Sequence, residues 1–128
     1  MVTLEWLDAY LLGKMGAKKD FKEEWGWWRY QVGRKMFAAT LRPGEKYASE
    51  YAGHDLLTLK CDPVWAEQLC EVHAGILPGF YMDKKNWISI DVHSAVPDDL
   101  VRELCDHSYA VVFGGLTKKL QQQILGEE

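Results

Sequence analysis

Two strand-like runs separated by only two residues set the strongest limit on how this chain folds. Trp28, Tyr30 and Val32 alternate with Trp27, Arg29 and Gln31, which is the period of a strand. After Gly33-Arg34 the segment Lys35-Met36-Phe37-Ala38-Ala39-Thr40-Leu41 reads as a second strand. Parallel strands need a crossover of roughly a dozen residues, so so short a link makes residues 27–41 an antiparallel hairpin. Leu56-Leu57-Thr58-Leu59-Lys60-Cys61 is expected as a third strand, after a loop from Arg42 to Asp55 that carries Pro43, Gly44 and Gly53. A second hairpin is expected where residues 80–82 and 87–92 bracket the tip Asp83-Lys84-Lys85-Asn86.

Helical spacing surrounds these strands. Leu4, Leu7, Leu11 and Met15 follow Thr3, a good N-cap, and predict a helix over residues 3–15. The polar stretch Lys18-Lys19-Asp20 reads as a lead-in to the aromatic segment. Asp62-Pro63 opens a short helix marked by Trp65, Leu69 and Val72, which Gly75 to Gly79 breaks. Pro97-Asp98-Asp99 opens the longest helix, whose stripe of Leu100, Val101, Leu104, Cys105, Ser108, Val111 and Val112 ends at Gly114-Gly115. Thr117 caps a last short helix with Leu120 and Ile124. The expected order is α-β-β-β-α-β-β-α-α, a two-layer α+β fold in which helices cover an antiparallel sheet.

The 128 residues fit one domain spanning 1–128, and 48% hydrophobic residues suffice for a core. No apolar run approaches the ~20 residues needed to cross a bilayer. The N-terminus lacks the basic region of a signal peptide, so a cytoplasmic location is expected. Cys61, Cys70 and Cys105 form no C-x-x-C pair and read as buried thiols rather than a zinc knuckle. The absence of a long apolar edge or heptad seam suggests a monomer.

No catalytic constellation stands out. His54, His73, His93 and His107 are scattered, with no H-E-x-x-H or H-x-H, so neither metal nor cofactor is expected. Gly114-Gly115 follows a helix, whereas a phosphate cradle needs glycines between strand and helix. Ser108 neighbours His107, but adjacent helical residues point to different faces and make no nucleophile–base pair. Trp25, Trp27 and Trp28 either build the core or line a pocket.

Charge is unevenly spread. Residues 14–46 hold nine bases against four acids, a net of +5, while residues 47–128 hold six bases and thirteen acids, a net of −7. A basic face on a chain of net charge −4 would let counterion release drive phosphate binding. Otherwise the lysines are a solvated tip without a partner.

Lys60-Cys61-Asp62-Pro63, then Pro78-Gly79-Phe80-Tyr81-Met82-Asp83-Lys84-Lys85-Asn86-Trp87, then Val96-Pro97-Asp98-Asp99-Leu100 through Asp106-His107-Ser108-Tyr109 together resemble the MmcQ/YjbR family. The resemblance runs in order from the first helix to about Val112. It implies a frataxin-like (CyaY-like) α+β fold and a double-wing DNA-binding role. On that analogy one wing is the loop from Arg42 to Asp55, with Arg42 and Lys46, and the other the tip with Lys84, Lys85 and Asn86; Arg34 and Lys35 belong to the basic stretch 14–46. Lys60 falls at a family motif position. The familiar pattern has Lys-His-Trp where this chain has Lys85-Asn86-Trp87. Frataxin's iron use would need an acidic ridge, and the first helix offers only Glu5 and Asp8.

The leading expectation is a non-enzymatic protein making weak, non-specific phosphate contacts to DNA. The alternative is an adaptor that binds another protein or a small ligand on its sheet and aromatics. A cleft beside the tryptophans would favour a ligand; a single filled core would count against one.

Overall fold

Thr3 starts the first helix through its hydroxyl, which accepts the Trp6 N–H at 3.0 Å. Asp62 does the same for the second, accepting from the Trp65 N–H at 3.1 Å with Pro63 in the first turn. The computed structural model describes residues 2–126. Its elements are α1 (Leu4–Leu12), β1 (Lys18–Lys22), β2 (Trp27–Val32), β3 (Lys35–Leu41), β4 (Leu56–Lys60), α2 (Pro63–Val72), β5 (Ile76–Pro78), β6 (Trp87–Asp91), α3 (Asp98–Gly114) and α4 (Lys118–Gly126). The strands form one six-stranded sheet in the order β1-β2-β3-β4-β6-β5. Every neighbouring pair is antiparallel. The α+β class holds. Among the described residues no helix is long and apolar enough to cross a membrane.

Two elements differ from the expectation. The polar stretch after α1 is a strand, so the order is α-β-β-β-β-α-β-β-α-α. Alternation is hidden there because β1 is a lysine-rich edge, where charge wards off further pairing. Cross-strand pairs hold it instead: Asp20 faces Arg29 and Phe21 faces Trp28, with rings 4.8 Å apart. The second hairpin takes Ile76–Pro78 as its first strand, not residues 80–82. The Gly79 N–H still reaches the Trp87 carbonyl at 2.8 Å, and then Phe80 turns under the sheet. Pro78 is tolerated because β5 is an edge.

The first hairpin turns as expected. Gly33 and Arg34 both have positive φ, +57° and +67°, the requirement of the tight turn that matches strand twist. The β2–β3 register then shifts, with Tyr30 opposite Ala38 but Gln31 opposite Met36. Phe37 is left over as a bulge, and α3 fastens it. The Ser108 hydroxyl donates to the Phe37 carbonyl at 2.5 Å and accepts the Lys60 N–H at 2.9 Å.

The sheet carries a core on each face. On one side, Leu7 and Leu11 of α1 and Leu104 and Cys105 of α3 bury against Tyr30, Leu57, Leu59, Ile88 and Ile90. On the other, Trp27, Ala39, Leu41 and Leu56 are roofed by Tyr51 and Phe80, which come from loops. That second roof is partial. It leaves one end of the sheet open, where β3 begins, β4 ends and β6 begins.

Candidate functional site

At the open end the register brings Lys60 opposite Trp87, while Lys35 enters from the start of β3. Arg29 of β2 shares this face, opposite Ala39 in the second half of β3. Trp25 stands at the rim, in the turn between β1 and β2, and is 48% exposed. Met36 and Met82 line the floor, and the last turn of α3 closes the far wall through Val111 and Val112. Together they enclose a groove of about 420 Å³.

Its electrostatics are one-sided. Arg29, Lys35 and Lys60 line it, and among the described residues no carboxylate does. The Lys60 ammonium lies 5.9 Å from the Trp87 ring centroid, a cation–π contact. Lys35 is exposed and has no ion-pair partner among the described residues. Arg29 is partly spent: its Nε and Nη2 donate to the Asp20 carboxylate at 2.9 and 2.6 Å, which holds that carboxyl below its usual range. Its guanidinium also lies 5.8 Å from the Trp25 ring. Asp83 lies outside the lining. The Lys85 N–H, then the Asn86 amide, hold its carboxyl low, with a smaller pull from Lys60.

The other sequence-predicted residues are distributed elsewhere. The loop 42–55 and the loop 79–86 do pack side by side: Tyr47 meets Phe80 at 4.9 Å, and the Tyr51 hydroxyl donates to the Pro78 carbonyl at 2.8 Å. Some of their polar side chains are already engaged within the fold. Arg42 donates through Nε and Nη2 to Asp55, both at 2.9 Å. Lys84 donates to the Gly79 carbonyl at 2.9 Å, and Asn86 donates to Asp83 at 2.6 Å. Lys84 and Lys85 border a different groove against α2, whose opposite wall includes Glu67 and Glu71. Lys46 lies over Tyr47 and shares a second cleft, of about 440 Å³, with Arg42 and Glu24 on the other flank of Trp25. Arg34 stands with Lys18 beside α4.

Sequence reasoning brought Lys35 and Lys60 to this groove without joining them, and it missed Arg29, Met36, Met82 and Trp87. Arg29 could have been found from its alternation with Trp27. Trp87 could not, because only the β4–β6 register puts it beside Lys60.

The remaining reactive groups serve the fold. Ser108 is buried and bonded as above, while His107 Nε2 accepts the Asp62 N–H at 3.1 Å, so the two neighbours act on different partners. Burial pushes the Cys61 and Cys105 thiols up to about 12, and all three cysteines are free. Asp8 of α1 is taken by Lys19 and by the Tyr30 hydroxyl. Among the described residues no cluster of three or more His, Cys, Asp or Glu is arranged to hold a metal.

Known proteins resemble this chain along most of its length. The YjbR family pattern matches residues 12–111, from the end of α1 into α3. The uncharacterised protein YbdF of Escherichia coli O157:H7 is 30% identical over 95 residues, covering 74% of this chain and 71% of its own. The uncharacterised protein YyaQ of Bacillus subtilis is 29% identical over 115 residues, covering 85% of this chain and 97% of its own. The crystal structure of protein DR2400 of Deinococcus radiodurans superposes with a TM-score of 0.80 at 26% identity, over 97% of this chain and 88% of that one. A match spanning both hairpins and the helices between and after them shows that the chain belongs to the YjbR family.

Proposed function

We propose that this protein binds nucleic acid weakly and without sequence preference, through phosphate contacts made at the open end of its sheet. One observation carries the reading: a groove lined by Lys35 and Lys60, with the Asp20-paired Arg29 beside them and no lining carboxylate among the described residues, in a chain of net charge −4. An acidic chain repels polyanions over most of its surface, so a local cationic patch is where contact becomes favourable. Phosphate contacts position a protein without reading bases, which fits a site of lysines rather than a shaped recognition helix. We read the role as binding without catalysis. The two loops act as shoulders rather than tips, since Arg42 and Lys84 already have partners in the fold and Lys85 borders a groove with Glu67 and Glu71.

Fluorescence anisotropy with labelled oligonucleotides at ~50 mM salt tests this. A dissociation constant of about 1–100 μM is expected, the range of non-specific binding. Changing Lys35→Glu and Lys60→Glu together should weaken it at least tenfold, whereas Lys84→Glu with Lys85→Glu should change it less than threefold. Absence of binding at this salt, or the reverse order of the two double variants, would overturn the proposal.

A further inference from the structure

The groove is amphiphilic, and a duplex surface is not. Beside its three cations the lining includes Trp25, Met36, Met82 and Trp87, and the wall from α3 adds Val111 and Val112. A double helix presents phosphate and sugar outward and keeps its base faces stacked inside, so it would satisfy the cations and leave the apolar surface bare. An unpaired nucleotide carries both halves of the match, an anionic phosphate and an exposed π-face. Trp25 is placed to meet that face. Its side chain is about half exposed at the rim, in a T-shaped contact with Trp27 at 5.1 Å, with the Lys22 ammonium 5.4 Å and the Arg29 guanidinium 5.8 Å from the ring. The polarisable methionine side chains behind it adapt to any base.

Building on the proposed nucleic-acid reading, we infer that this groove takes an unpaired nucleotide, its base against Trp25 and the methionines and its phosphate on Lys35 and Lys60, and so prefers single strands to duplex. Electrostatics alone predicts the opposite order. A duplex carries one charge per ~1.7 Å of axis, a denser lattice than a single strand, so a site of bare lysines would favour duplex. Preference for the single strand therefore reports the apolar half of the groove.

The test compares three labelled ligands of equal length: a ten-nucleotide single strand, the same sequence as duplex, and a single strand whose central positions are abasic. At ~50 mM salt the single strand should bind at least tenfold tighter than either of the others. Trp25→Ala should weaken it about tenfold, the effect of losing one base–aromatic stack, and leave the duplex within twofold. Trp25→Phe, which keeps an aromatic face, should restore most of the loss and guards against a mere folding defect. Competition with adenosine monophosphate identifies the source of the nucleotide. Displacement near the strand's own affinity assigns the groove to free nucleotides, and displacement only a hundredfold weaker assigns it to strands. Equal binding of duplex and single strand, or of the abasic strand, would overturn this inference while leaving nucleic-acid binding intact. Failure of all three ligands to bind would overturn both.

Discussion

Ser108 illustrates how one side chain can hold two strands in place. Its hydroxyl receives the Lys60 N–H and gives its proton to the Phe37 carbonyl, joining the end of β4 to the bulge in β3. The backbones it fastens are those of the groove, since Lys60 and Met36 line it. Ser108→Ala strands a backbone N–H and a carbonyl near the core, which costs about 1–3 kcal/mol. Urea denaturation should show a lower midpoint with an unchanged slope. Asp55 gives a residue-level effect with a defined sign. Arg42 first, then His93, hold its carboxyl below the usual range against an opposing effect of burial. Folded protein therefore binds this proton less readily than unfolded protein. The stabilisation is complete above the unfolded value near 3.8 and is lost as pH falls through the lower folded value. Asp55→Asn should lower the urea midpoint at pH 7, and the gap from wild type should narrow as pH drops from about 5 to 3. An equal gap at both ends would show that the carboxylate's charge is not the source. Neither role was legible in the sequence: Ser108 looked like one more residue of an apolar stripe, and Arg42 like a free cation, because both partners arrive through tertiary contacts.

At the scale of elements, the helices and the first hairpin were readable, and the edges were not. Caps at Thr3 and Asp62 and the turn at Gly33-Arg34 act within a few residues, so local chemistry specifies them. β1 is specified by its neighbour instead, through the Asp20–Arg29 and Phe21–Trp28 pairs, and its own five residues carry no apolar alternation. β5 is only three residues long, and the aromatic run after it, though strand-like in composition, is drawn away to roof the second core. The hinge between those two segments is Gly79. A Cβ there would come within 2.6 Å of the Trp87 Cβ and 3.0 Å of that residue's carbonyl group. Gly79→Ala should cost about 1–3 kcal/mol, as overpacking against backbone does. It should also weaken ligand binding by displacing Trp87 from the groove. Gly44 is the control, since nothing lies within 4 Å of a Cβ built there. Thermal denaturation of the two variants should separate them clearly, and equal melting points would contradict the packing account.

Across the whole molecule, folding redistributes the charge that the linear sequence presents. Within the basic stretch 14–46, Lys14 pairs with Asp106, Lys19 with Asp8, Lys22 with Glu24, Arg29 with Asp20 and Arg42 with Asp55. Three of those acids come from outside the stretch, so its apparent excess shrinks once the chain is folded. A basic face was therefore legible in the sequence only as a total. Its location was not, because Lys60 comes from the acidic remainder and joins Lys35 solely through the sheet. What survives is a short row of cations beside exposed indole, the surface proposed above to meet phosphates. The salt dependence of binding measures that number directly. For a labelled single strand, two phosphate contacts give a slope of log K against log salt of about −1.4, and three give about −2.1. Affinity should then fall roughly sevenfold to twentyfold between ~50 and ~200 mM salt. Replacing Lys35→Gln and Lys60→Gln together should flatten the slope towards zero, while Lys84→Gln with Lys85→Gln leaves it intact. A slope near −3 or steeper that survives the groove substitutions and collapses with the tip substitutions would contradict the groove as the binding surface.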